Sequence, residues 1–209
     1  MEVKNAIRTG DAGTLCRLLV EDPARANELI KWGKNCEIHT HPLHYVSDML
    51  FDGTLERGKE IPLIDALLAA GADCNHQASN GETPLIGAAS LDAEDVGLRL
   101  LDAGARPEHL GGFKETALHW AAHEGLCRLV ARLIERGSDV NLPDDRYNST
   151  PLGWAIHGRF NSPRGGLGGH REVFAMLVAA GAKVEPEWLA DERVRADPAM
   201  LSALRRKQG

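Results

Sequence analysis

Four stretches of this 209-residue chain end alike: LLAAGADCN (67–75), LLDAGARPE (100–108), LIERGSDVN (133–141) and LVAAGAKVE (177–185). Their shared glycine falls at Gly71, Gly104, Gly137 and Gly181, so two intervals are 33 residues and the third is 44. A period of that length means one supersecondary unit copied along the chain, each copy burying its apolar face against its neighbours. The 43% hydrophobic content is enough for a real core, in one large domain or an extended array, and argues against disorder.

A second signature precedes each ending: HPLHYV (41–46), TPLIGA (83–88), TALHWA (116–121) and TPLGWA (150–155). Threonine caps a helix N-terminus, and proline at the first helical position has no N–H to lose, so each signature opens a helix. The glycine of each ending can take the left-handed conformation that closes one. Between opening and closing runs a helical apolar pattern such as Leu126, Leu129, Val130, Leu133 and Ile134. Each unit therefore reads as helix, turn, helix, loop.

TPLxxA, a glycine nine positions after the threonine, and LLxxGADxN together make the chain resemble the ankyrin repeat family, most completely in GFKETALHWAAHEGLCRLVARLIERGSDVN. The resemblance covers about residues 1 to 185. It implies an all-α solenoid of stacked helix-turn-helix units with projecting finger loops and a concave side that commonly binds other proteins. One domain over 1–209 is expected, with repeats at about 1–35, 36–77, 78–110, 111–144 and 145–185, and a C-terminal cap at 186–209. The first repeat is degenerate, with Met1 in the threonine place, Gly10 in the turn and Asp22 in the glycine place. In the cap, Asp197 and Pro198 start a last helix carrying Met200, Leu201 and Leu204 on one side.

Three insertions depart from the period. Repeats 2 and 5 carry about ten extra residues between their helices, within 47–62 and 157–172, and about seven residues including Trp32, Gly33 and Lys34 lengthen the first finger. Such loops are functional or simply tolerated, since closure entropy grows slowly with length. The glycine-rich NSPRGGLGG lacks a lysine, a preceding strand and the GxxxxGK[ST] pattern, so it reads as a connector rather than a phosphate cradle.

CEIHTHPLHY (36–45) has the density of a zinc site. In register, however, His41 takes the threonine place and His44 the place of His119, where a neutral imidazole is expected to hydrogen-bond neighbouring loop backbone. Cys36 and His39 remain in the enlarged finger. A metal- or small-ligand-responsive regulator using the Cys36 to His44 segment is the alternative function; tetrahedral coordination would require the finger to fold back.

Other chemistry is not spelled out. The chain has no GxSxG, HExxH, dinucleotide fingerprint, kinase signature or EF-hand loop, so no enzyme and no cofactor are expected. A formal net charge of −6 argues against nucleic acid. Arg205, Arg206 and Lys207 complement the negative end of a terminal helix. With no apolar run suited to a signal peptide or membrane span, and four dispersed cysteines without CxxC, the cytoplasm is the expected compartment.

The expected function is protein–protein interaction. Four residues after the threonine place stand Tyr45, Gly87, Trp120 and Trp154, which should form a row along the first helices. The row is either a recognition surface, since tryptophan and tyrosine dominate binding hot spots, or packing that seals the joint between helices. Variable and finger positions add His123, His157, Phe113, Glu115, Arg146 and Tyr147 as candidate partner-binding residues.

Overall fold

A computed structural model describes residues 2–34, 38–162 and 169–205. Cys36, most of the glycine-rich connector, Arg206 and Lys207 lie outside the described residues. The chain divides into two compact units, 1–111 and 112–209, each with its own core.

In the first unit, helices pair as the repeats require: α1 (Val3–Thr9) with α2 (Ala12–Glu21), α3 (Pro42–Phe51) with α4 (Glu60–Ala69), and α5 (Pro84–Ser90) with α6 (Glu94–Asp102). The lengthened first finger is an antiparallel ribbon, β1 (Ile30–Trp32) paired with β2 (Ile38–Thr40), in the register Ile30 to Thr40. The second unit holds α7 (Ala117–Glu124) with α8 (Cys127–Glu135) and α9 (Pro151–Asn161) with α10 (His170–Ala179). It ends in the short helices α11 (Pro186–Ala190), α12 (Glu192–Arg195) and α13 (Pro198–Leu204).

Local chemistry sets these boundaries. His41, Thr83, Thr116 and Thr150 each stand immediately before their helix. The Ile86 amide donates to Thr83 Oγ1 at 3.3 Å, and the Leu43 amide to His41 Nδ1 at 3.3 Å. The four shared glycines all have φ between 85° and 95°, a conformation that a Cβ would strain. Closing the helix there lets the Ala72 amide reach back to Leu67 O, and the Ala182 amide to Leu177 O.

Asparagines then tie successive repeats together within each unit. Asn27 donates to Gly71 O and accepts from the Asp73 amide; Asn75 does the same with Gly104 and Arg106, and Asn141 with Gly181 and Lys183. The apolar stripes close the cores, with Leu43, Leu63, Leu67 and Leu100 fully buried in the first unit and Leu118, Leu129, Leu133 and Phe174 in the second. Each such side chain contributes about 2 kcal/mol of burial. In the cap, Met200, Ala203 and Leu204 are buried, while Leu201 is only half-buried. Asp197 caps α13 through the Ala199 and Met200 amides and holds Arg159 and Arg171 at 3.2 and 3.4 Å.

Candidate protein-recognition cleft

The second unit presents a cleft of about 450 Å³ whose walls are the two fingers at 112–115 and 144–149 and the facing sides of α7 and α9. Eight of the nine residues expected to bind a partner line it: Phe113, Glu115, Trp120, His123, Arg146, Tyr147, Trp154 and His157. Ser149 and Gly153 complete the lining.

Its geometry begins with Asp144, which sequence reading passes over. The residue is only 2% exposed, and its carboxylate accepts four N–H donors: the amides of Arg146, Tyr147 and Ser149 at 2.7 to 3.0 Å, and Trp154 Nε1 at 3.0 Å. Burial alone would raise the Asp144 pKa, but these donors outweigh it and hold the carboxyl below its usual value. One side chain thus folds the second finger and fixes the indole beneath it. The signal was present, since an aspartate opening a polar loop commonly bonds the amides ahead of it. The fingers themselves join through the Asp145 amide to Phe113 O at 2.7 Å and the Lys114–Asp145 ion pair at 2.9 Å.

On this frame Trp120 and Trp154 meet edge to face, ring centres 4.9 Å apart, and both lie about 6 Å from the His123 ring. His123 stacks on His157, with Nε2 and Nδ1 3.4 Å apart, and its Nδ1 lies 2.8 Å from Glu124. Burial, with His123 and Arg193 nearby, keeps the His157 pKa below the ordinary imidazole value. At the mouth, the Arg146 guanidinium lies 5.2 Å from the ring centres of both Phe113 and Tyr147. Phe113 and Tyr147 are 51% and 63% exposed. The Phe113 amide donates to Glu115 Oε2 at 2.8 Å.

His119 underlies the site in the role its place implies. Its Nδ1 accepts from the Thr116 amide at 3.1 Å and its Nε2 donates to Leu142 O at 3.0 Å, a pattern only the neutral ring can make. Burial, against the pull of Leu142 O and Asp144, lowers its pKa to about 4.

Tyr45 departs from expectation. It is 1% exposed, packed edge-on against Trp32 of the ribbon at 5.5 Å, so it is a core residue rather than a docking surface. Gly87, next in the row, is where the His44 ring sits; a Cβ there would collide with it. In the histidine-rich segment, His41 donates from Nε2 to Asn27 at 3.1 Å and stacks on His76 at 4.7 Å, which commits both ring nitrogens to capping and packing. His44 approaches Asp48 at 3.7 Å rather than loop backbone. Among the described residues, no three histidine, cysteine, aspartate or glutamate side chains are placed to share a metal ion.

Repeated capped helix pairs carrying finger loops, with an aromatic cleft between fingers and helices, define a helical repeat scaffold built to present a surface. Comparison with known families agrees: the pattern described as "Ankyrin repeats (3 copies)" matches residues 50–144 and again 93–187. The chain belongs to the ankyrin repeat family, whose repeats generally serve as protein–protein interaction modules. It is 35% identical over 125 residues, 60% of its length, to Ankyrin repeat domain-containing protein SAT10 of Stachybotrys chartarum. It is 37% identical over 91 residues, 43% of its length, to E3 ubiquitin-protein ligase KEG of Arabidopsis thaliana, and 34% identical over 89 residues, 42% of its length, to human Ankyrin repeat and KH domain-containing protein 1. These stretches span only 6%, 6% and 4% of those relatives. No helix among the described residues is long and apolar enough to cross a membrane.

Proposed function

We propose that this chain is a non-catalytic interaction module that grips another protein in the concave cleft between its fingers and the helices α7 and α9. The observation that carries the reading is the convergence of Phe113, Trp120, Tyr147, Trp154 and Arg146 on one open cleft. Aromatic and arginine anchors of this kind supply contact area at small entropic cost and dominate binding energy at interfaces. The reading uses no cofactor, nucleic acid or membrane, and it suits the cytoplasm, since Cys16, Cys74 and Cys127 are thiols.

Phe113 and Tyr147 are the informative residues to change, because Trp154 also holds Asp144 and its loss would disturb the fold. Immobilised wild-type chain and a Phe113→Ala/Tyr147→Ala variant are exposed to extract from source cells, and captured proteins are quantified by mass spectrometry. A main partner that is depleted at least tenfold on the folded variant is expected. Identical capture profiles would remove the cleft from the function.

A further inference from the structure

Resting on that reading, we propose that the cleft takes an acidic–apolar segment of the partner protein. A carboxylate pairs with Arg146, and the apolar side chain next to it enters between Trp120, Trp154 and Tyr147.

Arg146 is the reason for the charge assignment. The arginines Arg25, Arg57, Arg99 and Arg193 each lie within 3.2 Å of an aspartate. Arg146 is exposed, and among the described residues its guanidinium meets only the Phe113 and Tyr147 rings. The acids of the two fingers, Glu115, Asp144 and Asp145, are committed elsewhere. Asp144 is turned inward onto four N–H donors, Asp145 is paired with Lys114, and one oxygen of Glu115 is held by the Phe113 amide. Ring faces hold a guanidinium in place while leaving its edge donors open, and that planar fork matches a carboxylate with two parallel hydrogen bonds.

The surroundings agree in sign. Residues 1–111 contain 10 Lys and Arg against 18 Asp and Glu, whereas residues 112–209 contain 14 against 12. The chain's negative charge therefore belongs to the unit without this cleft, and the unit that bears it is mildly positive. A cationic ligand would find the cation–π position over Phe113 and Tyr147 already filled by Arg146. The apolar half of the ligand follows from Trp120 and Trp154, which meet at 4.9 Å and line the cleft with Tyr147.

A phage-displayed library of random 12-residue peptides, panned on the full chain, tests this. Enriched peptides are then measured by fluorescence polarisation against wild type, Arg146→Gln, Arg146→Lys, Trp120→Ala and Tyr147→Ala, each checked for folding by circular dichroism. The proposal expects Asp or Glu beside Leu, Ile, Phe or Trp, at least tenfold weaker binding to Arg146→Gln, and only partial recovery with Arg146→Lys. Peptides that need Trp120 or Tyr147 but are basic, or that bind Arg146→Gln unchanged, would overturn the acidic assignment and leave the cleft reading standing. Enriched peptides indifferent to Trp120 and Tyr147, or no enrichment at all, would count against both.

Discussion

The Asp144 carboxylate gathers three finger amides and one indole N–H while almost sealed from water, so it decides both the path of the second finger and the pose of Trp154. Removing an acceptor from buried donors costs their full desolvation, and bonds to a charged acceptor are the stronger kind. Asp144→Ala is therefore expected to lower the unfolding free energy by about 3 kcal/mol, measured by urea denaturation. Asp144→Asn keeps the shape and one acceptor oxygen, so it should recover part of that loss. An Ala variant as stable as wild type would show that the finger holds itself without the carboxylate. Since the Asp144 pKa is lowered on folding, its contribution is present above the ordinary carboxylate pKa and is lost on acidification below it.

At the level of elements, the cleft depends on how closely α7 and α9 approach. Ala121 and Ala122 on α7 are fully buried, and at Gly158 on α9 an added Cβ would lie against the backbone carbonyl of His123, closer than atoms can come. Gly158→Ala should force the helices apart and cost about 2 kcal/mol or more, seen as a lower melting temperature, with the Trp120–Trp154 contact altered in near-ultraviolet circular dichroism. An unchanged melt and spectrum would mean the helices have slack. Helix starts were legible in the sequence because capping is local: a threonine or His41, then proline or alanine, leaves little choice. Repeat register likewise sufficed to bring Trp120 beside Trp154. Register could not reveal that the inserted finger would fold into a ribbon and lay Trp32 over Tyr45, because that contact joins an insertion to a helix with no counterpart in other repeats. Nor could it show Arg146 lying on two rings, since that pose depends on finger turns in which Lys114 and Asn148 adopt φ of 59° and 49°.

Across the whole molecule, buried titratable groups make the two units answer acid differently. In residues 112–209, burial lowers the pKa of His119 to about 4, and burial also lowers that of His170, whose Nδ1 has no partner among the described residues. Between about pH 4 and 6.5 the unfolded chain binds a proton that folded His119 refuses, so its contribution is full above pH 6.5 and falls as pH drops toward 4, and the lowered His170 acts in the same direction. For His119 alone the loss is about 3 kcal/mol. Residues 1–111 contain a similar group, His41, also lowered to about 4 by burial and by His76. There, however, burial raises Asp48 to about 6 despite nearby His44, and a raised carboxyl acts in the opposite sense: its contribution is full below 3.8 and is lost as pH rises through about 6. The two shifts offset each other in the first unit, and among the described residues of the second no raised carboxyl offsets His119. Peptide-resolved hydrogen exchange, corrected for intrinsic rates, should show protection in residues 112–209 falling by about 2 kcal/mol more than in residues 1–111 between pH 7 and pH 4.5. Asp48→Asn removes the offset and should make the first unit acid-sensitive as well. Equal loss in both units of the wild-type chain would mean that the buried imidazoles do not govern its response to pH.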